Sequence, residues 1–580
     1  MKTLLSLTSL LLLATSGFAQ QPPQQSPPVS LKTREQQRVE VLQRIAPSVV
    51  CVMASSGEGG GSGVLISPDG LAVSNYHVTS GSGNFMKCGL NDGRVYDAVI
   101  IGIDPTGDVA LIKLLGRNDF PHATPGNSDS VKAGDEVLAL GNPFLLASDF
   151  SPTVTYGIVS GVRRYQYPAN TFLEYTDCIQ IDASINPGNS GGPLFDIQGR
   201  WIGINGRASF EKRGRVNSGA AYAISVNQVL RFLDPLLCGL IVDHGRTEFT
   251  VETTENNTAV VSQVSQLSEA WRRGLRPQAQ ILSFAGRPLS SANDFQNVLG
   301  TLPEGDRVPI TWKDNSGKHS ATIRLTPLHS FQKAPELPEE RRRQPRPDQT
   351  PDPQETDPES QLPPEILSLY VQRDGFCNFH FNQLRQNALL NPLKSRLGDA
   401  TGNPQATWTL KLQLPVNGQT ETAELAATPE TIGLRTSSAT WLQQTADPLP
   451  SEEPPAAPGL LTAIGQLRKL FDPSLAGFSD RLAAGSTLHL PLNRSLKVLV
   501  TRDGQRTARW YFDDSTPLPI ALDLNYSAEL DEARLVFEDW KDSNGLVAPA
   551  RIGFVNPDSE TITWLNIESA ALRSPEKPNN

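Results

Sequence analysis

The sequence predicts a mainly β protein with three folded regions joined by turn-rich and proline-rich segments. Between residues 48 and 223, short β-branched and aliphatic runs alternate with Gly, Asn, Asp and Pro. This pattern is typical of an antiparallel barrel or sandwich. The 580 residues include 46 Gly and 46 Pro, and only 19% are charged, which favours β-rich domains connected by turns over long charged helices. The length allows about three or four domains.

The first 32 residues are predicted to lie outside the folded regions. Lys2 precedes an apolar run at residues 4–14, and small residues surround a cleavage point after Ala19, as in an export signal. A membrane anchor is the alternative, but it needs about 20 apolar residues and this run is shorter. We therefore expect a signal peptide at residues 1–19, a disordered Pro/Gln-rich segment at 20–32, and a periplasmic or secreted protein.

Local patterns place the elements of the first two regions. The first region is expected to begin with a helix at 33–44, to close with a helix at 224–234, and to contain strands that include 49–53, 63–66, 71–74, 98–103, 137–140 and 157–162. A smaller module of mixed type follows at 236–328. It should contain strands at 259–264, 280–284 and 308–312 and helices at 268–273 and 292–301.

The last part of the chain is predicted to be a linker followed by a β-rich domain. Residues 329–365 form a charged, Pro-rich segment that should be an extended linker. Residues 366–580 regain strand patterns at 507–512, 520–526, 533–537 and 561–565, and a second Pro-rich break at 447–459 is expected to divide this region. Alternating aromatic residues at 373–382 indicate a half-buried strand. His380 and Cys377 could be ligands, but core or surface positions are favoured because no matching ligand cluster is visible.

Charge and cysteine content exclude several classes of partner. The net charge is −10 without a basic block, which argues against nucleic acid because phosphate binding needs clustered Lys and Arg. The five cysteines are scattered and lack CxxC spacing, so neither a disulfide framework nor a metal site is indicated, although a single bridge remains open. The sequence has no GxxxxGK[ST] loop. We expect no cofactor and no use of ATP.

The segment 182–194, DASINPGNSGGPL, carries the strongest chemical signal. A serine hydroxyl becomes a nucleophile only when a base takes its proton and the backbone exposes its oxygen. Glycines on both sides of Ser190 allow positive φ angles and close substrate approach. They also let the N–H groups of Gly188 and Ser190 converge where an oxyanion would lie. The alternative is a Gly-rich turn with an incidental serine.

Two other segments supply the partners that such a serine needs. An apolar strand pattern at 71–74 runs directly into His77, and Asp108 immediately precedes the apolar run 110–114. Each residue alone would more often be structural: a histidine in the core or at the surface, and an aspartate in a turn. Together with Ser190 they provide nucleophile, base and orienting carboxylate in the chain order His, Asp, Ser.

This order, with its flanking motifs, resembles the trypsin-like superfamily and most closely the HtrA/Deg family of exported proteases. The similarity spans residues 40–330 and includes GSGVLISPDG, SNYHV, GDVALIKL, GNPF, TVTYGIVSGVRR, INPGNSGGPL and AYAIS. It implies a chymotrypsin-like double β-barrel at 33–235, with the catalytic triad His77, Asp108 and Ser190 in the cleft between the barrels. In this mechanism Ser190 attacks the scissile carbonyl, His77 transfers its proton, and Asp108 orients the imidazole.

The same resemblance implies the positions that bind substrate. Ser184 falls at the bottom of the pocket for the residue before the cleaved bond, where an aspartate would select basic side chains. A small or medium apolar residue is therefore the expected preference. Gly206, Arg207 and Ala208 fall where family members pair their main chain with the substrate strand.

The module at 236–328 resembles a PDZ domain. Gly239, Leu240 and Ile241 fall where the loop that binds a peptide C-terminus would lie, beside a strand edge open to β-augmentation. Gln278 and Ala279 stand where Gly-Asp is usual, and the segment from loop to strand is short. An unrelated β-module is the alternative.

The family resemblance implies an ATP-independent serine endopeptidase that degrades unfolded or misfolded exported proteins. Family members are usually trimers or larger, which predicts a homo-oligomer, and the PDZ-like module would bind peptide C-termini. The alternatives are a chaperone-like or peptide-binding scaffold with latent or tightly regulated proteolysis, and a regulatory protease with one dedicated partner.

Overall fold

The computed structural model describes residues 31–54, 60–142, 149–166, 172–210, 217–335, 362–401, 403–416, 419–447, 453–527 and 529–573. The expected signal peptide and most of the Pro/Gln-rich segment therefore lie outside the described residues. Within the described ranges, no helix is both long and apolar enough to cross a membrane.

The first barrel is a closed ring of six antiparallel strands. Helix α1 (Leu31–Ile45) leads into β1 (Val49–Ala54), β2 (Gly61–Leu65), β3 (Leu71–Ser74), helix α2 (Tyr76–Thr79), β4 (Phe85–Gly89), β5 (Val95–Asp104) and β6 (Val109–Leu114). The ring order is β1-β2-β3-β6-β5-β4, and β4 pairs with β1 to close it. The strands expected at 49–53, 71–74 and 98–103 lie within β1, β3 and β5.

The second barrel closes in the same way. Its strands are β7 (Thr124–Pro125), β8 (Glu136–Gly141), β9 (Thr153–Gln166), β10 (Tyr175–Ile181), β11 (Pro193–Asp196), β12 (Arg200–Phe210) and β13 (Asn217–Ser225). Six of them form the sheet β11-β8-β9-β10-β13-β12, and β11 also pairs with β12, which completes a ring; β7 attaches to β12. Helix α3 (Val226–Leu237) packs against strands of both barrels, β5 and β12.

The middle module (residues 236–328) is a small α+β unit, as the sequence predicted. It contains β14 (Gly245–Arg246), β15 (Phe249–Thr253), β16 (Ala259–Val264), helix α4 (Glu269–Arg272), β17 (Gln280–Phe284), β18 (Arg287–Pro288), helix α5 (Ala292–Leu299), β19 (Arg307–Asp314), β20 (Gly317–Arg324) and β21 (Thr326–Pro327). The order β15-β16-β17-β19-β20 forms its sheet, and α5 packs on the second barrel at β9 and β10.

The C-terminal region forms one antiparallel sheet of eleven strands around a buried helix. Its elements are helix α6 (Pro364–Leu367), helix α7 (Phe379–Thr401), β22 (Thr407–Val416), β23 (Gln419–Ala427), β24 (Thr431–Arg435), β25 (Thr440–Gln444), helix α8 (Leu460–Phe471), β26 (Asp480–His489), β27 (Arg494–Asp503), β28 (Arg506–Asp513), β29 (Thr516–Asn525), β30 (Ala533–Ser543), β31 (Leu546–Val555) and β32 (Ile562–Arg573). Nearly every residue of α8 is buried, in a core shared with both halves of the sheet. The sheet therefore wraps around this helix.

Two expectations for the C-terminal region were wrong. The break at 447–459 does not divide it, because β22 pairs with β32 and so joins the strands on both sides of the break. Residues 373–382 do not form a strand but lead into α7. The aromatic alternation was misleading because the buried positions where this helix begins are polar. Asn378, directly before α7, and Asn382 and Gln386 within it follow one another at four-residue spacing and are all buried and hydrogen-bonded.

Buried ion pairs join the middle module to the C-terminal sheet. Arg324 of β20 pairs with Asp523 of β29 and lies 2.8 Å from Glu532. Burial raises the pKa of Asp523, but the charges of Arg324 and Arg534 outweigh it and hold that pKa far below its usual value. Arg273 of the module lies 3.0 Å from Asp531. Paired, hydrogen-bonded charges at this depth fix the orientation of the two units.

Candidate active site

A cleft of about 1230 Å³ lies between the two barrels. His77 lines it from the first barrel, and Ser190 and Gly188 line it from the second. His77 is the second residue of helix α2, which closely follows β3, and Ser190 lies in the turn before β11. The sequence-predicted nucleophile and base therefore face the same space.

Asp108 holds His77 through both its backbone and its ring. The His77 backbone N–H donates to Oδ1 of Asp108 at 3.0 Å, and Nδ1 of the ring lies 2.7 Å from Oδ2. Asp108 lies in the turn before β6, with a φ of 59°, a left-handed conformation uncommon for residues other than glycine. The Asn75 amide supports this turn by donating to the Asp108 carbonyl at 2.8 Å. The two hydrogen bonds between His77 and Asp108 fix the orientation of the imidazole.

Tyr175 is a further partner of Asp108. Its phenolic O–H donates to Oδ2 of Asp108, deep in the protein where both side chains are buried. Burial raises the pKa of Asp108, but the nearby His77 charge and the hydrogen bonds from His77 and Tyr175 outweigh it and hold the pKa below its usual value. The carboxylate is therefore ionised at neutral pH and can stabilise a protonated imidazole.

The backbone around Ser190 has the shape that the glycine pattern predicted. Gly188 and Gly191 have φ angles of 104° and 84°, and a Cβ at Gly191 would lie 2.2 Å from the Ser62 carbonyl oxygen. Within the described residues, neither the Gly188 nor the Ser190 backbone N–H donates a hydrogen bond to a protein acceptor. Both amides thus keep their capacity to bind an oxyanion.

The Ser190 hydroxyl does not bond to the base in this conformation. It donates to the Gly206 carbonyl at 3.3 Å, and no hydrogen bond between Ser190 Oγ and the His77 ring is found among the described residues. Rotation about a single side-chain torsion separates this position from other staggered ones. His77 and Ser190 therefore line the cleft, Asp108 is buried and contacts His77, and the Ser190 hydroxyl is turned toward Gly206.

The predicted substrate-binding residues are divided between the cleft and its surroundings. Gly206 and Arg207 line the cleft, and the Ala208 backbone pairs with Ala221 in the ladder of β12 and β13. Ser184 is exposed, is not among the residues that line the cleft, and its carbonyl accepts a bond of 3.1 Å from the Thr155 hydroxyl. The next residue, Ile185, lines the cleft instead. Of these two neighbouring residues, Ile185 and not Ser184 therefore contributes to the lining of the cleft.

The predicted peptide-binding loop at Gly239, Leu240 and Ile241 is occupied by contacts within the chain. The Gly239 carbonyl accepts from the backbone N–H groups of Cys377 and Asn378 at 2.9 and 3.1 Å, and Leu240 forms a bridge to Phe376. Leu240 and Ile241 also pair with Ile103 of the first barrel. This conformation leaves no open edge there for a peptide, so the expected binding role of the loop has no support from its placement. A single sequence gives no signal that a distant segment covers it.

Sequence reasoning missed two features of the site. Tyr175 falls in an ordinary strand pattern, so nothing in the sequence marks its hydroxyl as a partner of Asp108. Residues 332–335, expected to be part of a linker, and residues 370–377 line the cleft near His77. The part of the predicted linker at 336–361 lies outside the described residues.

The comparisons with known proteins agree with this geometry. Residues 61–204 match the trypsin-like peptidase domain family. The chain is 35% identical over 261 residues to a probable periplasmic serine endoprotease DegP-like of Chlamydia muridarum, covering 43% of this chain and 50% of the relative. It is 35% identical over 289 residues to the periplasmic serine endoprotease DegP of Escherichia coli K12, covering 45% and 58%. Over this half, the chain is similar to DegP-like serine endoproteases.

The chain spans about half the length of the curated relatives it matches. A solved structure titled HtrA-type protease AlgW with tripeptide aligns with a TM-score of 0.41 and 33% identity, covering 50% of this chain and 96% of that one. The matches to these curated relatives cover 43% and 45% of this chain, and the family model matches residues 61–204, within the two barrels.

Proposed function

We propose that this protein is a serine endopeptidase in which Ser190 is the nucleophile, His77 the general base and Asp108 the orienting carboxylate. The observation that carries the proposal is the contact of 2.7 Å between His77 Nδ1 and Asp108 Oδ2 in the cleft that Ser190 also lines. This contact leaves Nε2 as the ring nitrogen that faces the reaction. The Gly188 and Ser190 amides would bind the oxyanion of the tetrahedral intermediate.

The mechanism begins with a change at Ser190. Its hydroxyl leaves the Gly206 carbonyl and turns to His77 Nε2, which takes the proton as Ser190 Oγ attacks the scissile carbonyl. The imidazolium formed is stabilised by Asp108, and its proton passes to the leaving amine. Water then attacks the acyl-enzyme with His77 again acting as base. The apolar Ile185, which lines the same cleft as Ser190, favours a small or medium apolar residue before the cleaved bond.

The substrates proposed are unfolded or misfolded proteins outside the cytoplasm. The support is the likeness to relatives named periplasmic endoproteases and the export pattern of the first residues. A homo-oligomer, trimeric as in the family, belongs to the same proposal. An unfolded chain can supply an extended segment to the open cleft, whereas a folded protein cannot.

The test compares the wild type with Ser190→Ala on an unfolded casein-like substrate. We expect cleavage by the wild type only, because the variant lacks the nucleophile while keeping the fold. Size analysis of the same samples measures the oligomer. Equal, metal-independent cleavage by both proteins would refute the enzyme assignment.

A second candidate is a binding scaffold whose proteolysis is latent. The observation that favours it is the Ser190 hydroxyl directed at Gly206 rather than at His77. Such a protein would suppress aggregation of an unfolded client equally well as wild type and as Ser190→Ala. Aggregation assays with both proteins, alongside the casein assay, separate the two functions.

A further inference from the structure

The cleft has a wall that lies outside residues 40–330, the part of the sequence that resembles the HtrA/Deg family. Residues 332–335 and 370–377, which we call the cleft wall, contribute side chains that line the same space as His77 and Ser190. Tyr76, the residue before His77, donates its phenolic O–H to the Pro335 carbonyl at 2.5 Å. The wall therefore begins next to the catalytic base.

The cleft wall is fixed by hydrogen bonds at several points. The Asp243 carboxylate accepts from the backbone N–H groups of His329 and Ser330 at 2.8 and 2.6 Å. The Gly375 N–H donates to the Gln332 carbonyl at 2.7 Å and so ties the two segments together. Asn378, fully buried, donates from its side chain to the Ile100 carbonyl at 2.8 Å. A surface held in this way is preorganised for a ligand.

Aromatic contacts add to this support. Phe331 packs against Phe172 of the second barrel with ring centroids 6.3 Å apart, and Phe172 in turn lies 6.5 Å from the Tyr76 ring. Tyr370 packs edge-on against Phe85 of β4 at 6.1 Å. Phe331, directly before the wall, and Tyr370 within it thus anchor the wall to the two barrels.

The charges in this part of the cleft are unbalanced. Lys333 is exposed and, within the described residues, forms no ion pair. Arg373 is neutralised by Asp480 at 2.6 Å. Among the described residues that line the cleft, the remaining charged side chains are Arg207 and Lys333, which are positive, and Asp374, which is negative. The excess of positive charge favours an acidic group on whatever occupies the cleft.

We propose that the cleft wall is a substrate-binding subsite, in which Lys333 selects peptides that carry an acidic side chain close to the cleaved bond. This inference rests on the proposed peptidase function and assigns the C-terminal half a role in substrate choice. The DegP-like half supplies the chemistry and the apolar contact at Ile185, and the cleft wall supplies a charged contact farther along the peptide.

The first test reverses the charge at Lys333 in the full-length protein. Matched peptides with Glu or Lys at each position within a few residues of the cleaved bond give a ratio of kcat/KM values, acidic over basic. Lys333→Glu is expected to lower that ratio by about fivefold or more, because an attraction is replaced by a repulsion of similar size. Lys318→Glu, an exposed change in β20 outside the cleft, is the control and leaves the ratio unchanged.

The second test is independent of charge. Full-length Ser190→Ala is incubated with an acidic peptide carrying a photoreactive group, and the cross-linked residues are mapped by mass spectrometry. Cross-links within 332–335 or 370–377 support the proposal. Cross-links confined to the barrels overturn the subsite proposal. Equal acidic-over-basic ratios of kcat/KM for Lys333→Glu and Lys318→Glu also overturn it. Neither result contradicts the peptidase function, provided that the wild type cleaves the peptides. Absence of any cleavage by the wild type refutes the peptidase function itself.

Discussion

The His244 ring pairs with Asp104, four residues before Asp108, and its Nε2 lies 2.9 Å from both carboxylate oxygens. Both side chains are buried, and the ring stacks on Phe232 of α3 at 4.5 Å. Asp104 in turn accepts from the Gly107 N–H at 2.7 Å, one residue before Asp108. A residue from the middle module thus supports the turn that carries the orienting carboxylate.

The His244–Asp104 pair predicts a pH-dependent contribution to stability. Burial lowers the pKa of His244, but attraction to Asp104, the hydrogen bond between them and the charge of Glu174 outweigh it, so the folded pKa is raised above 6.5. The ion pair is therefore fully formed below pH 6.5, and its contribution is lost as the pH rises through the folded pKa. The free energy of unfolding of the wild type minus that of His244→Gln should be larger at about pH 6 than at about pH 9.

The control for this prediction is His319→Gln. His319 forms a half-exposed pair with Asp314 at 3.0 Å, and such pairs contribute less than about 1 kcal/mol. The His319 variant should track the wild type at both pH values. A stability difference for His244→Gln that grows with pH would contradict the sign of the argument.

Removing the Tyr175 hydroxyl should slow catalysis without weakening substrate binding. Tyr175→Phe takes one donor from the buried Asp108 carboxylate, and a hydrogen bond to a charged group is worth about 1.5 kcal/mol or more. We expect kcat to fall about tenfold with little change in KM. Tyr156→Phe, which removes a hydroxyl bonded to Glu136 at the surface, serves as the control. A lower affinity for substrate with unchanged kcat would argue against a positioning role.

Gly239 should tolerate a side chain poorly because of a neighbour as well as its backbone angle. Its φ is 69°, and a Cβ would lie 2.1 Å from the Asn378 carbonyl oxygen. Gly93 has a φ of 76° with no atom within 4 Å of a built Cβ, so Gly93→Ala isolates the cost of the angle, about 1 kcal/mol. Gly239→Ala should lower the free energy of unfolding by clearly more. Equal losses in denaturant unfolding would mean that the contact with 376–378 is not tight.

The buried charges between the middle module and the C-terminal sheet should be sensitive to loss of one partner. Arg324→Met leaves Asp523 and Glu532 without their shared cation, which is expected to cost about 3 kcal/mol or more. Arg494→Met breaks a pair with Asp513 in which the arginine is 54% exposed, and it should cost less than about 1 kcal/mol. Thermal unfolding of both variants measures the difference. A larger loss for Arg494→Met would be inconsistent with the burial argument.

Several features of the fold could be predicted because they depend on local sequence. The bounds of β3 were predicted correctly because the apolar run that begins at Leu71 ends at the polar residues Ser74 and Asn75. Gly188 and Gly191 indicated a turn that requires positive φ angles. Helix α5, predicted at 292–301, spans Ala292–Leu299, and Ser291 caps its start by accepting from the Asp294 N–H.

Other features could not be predicted because they depend on partners far apart in the chain. The sequence pattern predicted a strand where α7 begins. In the structure, the buried Asn382 side chain there donates to the carbonyls of Cys238 and Ala483, which lie more than 100 residues away in the chain. The loop at Gly239 was expected to bind a peptide, yet the segment 376–378 covers it. Ser184 was expected at the bottom of a substrate pocket, but of these two neighbours it is Ile185 that lines the cleft.

By itself, the sequence determined the mainly β fold, the three chemical groups of the candidate site and the glycines that shape it. These follow from residue type and short-range spacing, which act through local backbone geometry. Only the tertiary structure decided that Tyr175 donates a hydrogen bond to Asp108, that His244 pairs with Asp104, and that residues 332–335 and 370–377 border the cleft. Those contacts join segments up to hundreds of residues apart, and their existence depends on how whole domains pack rather than on any pattern within one segment.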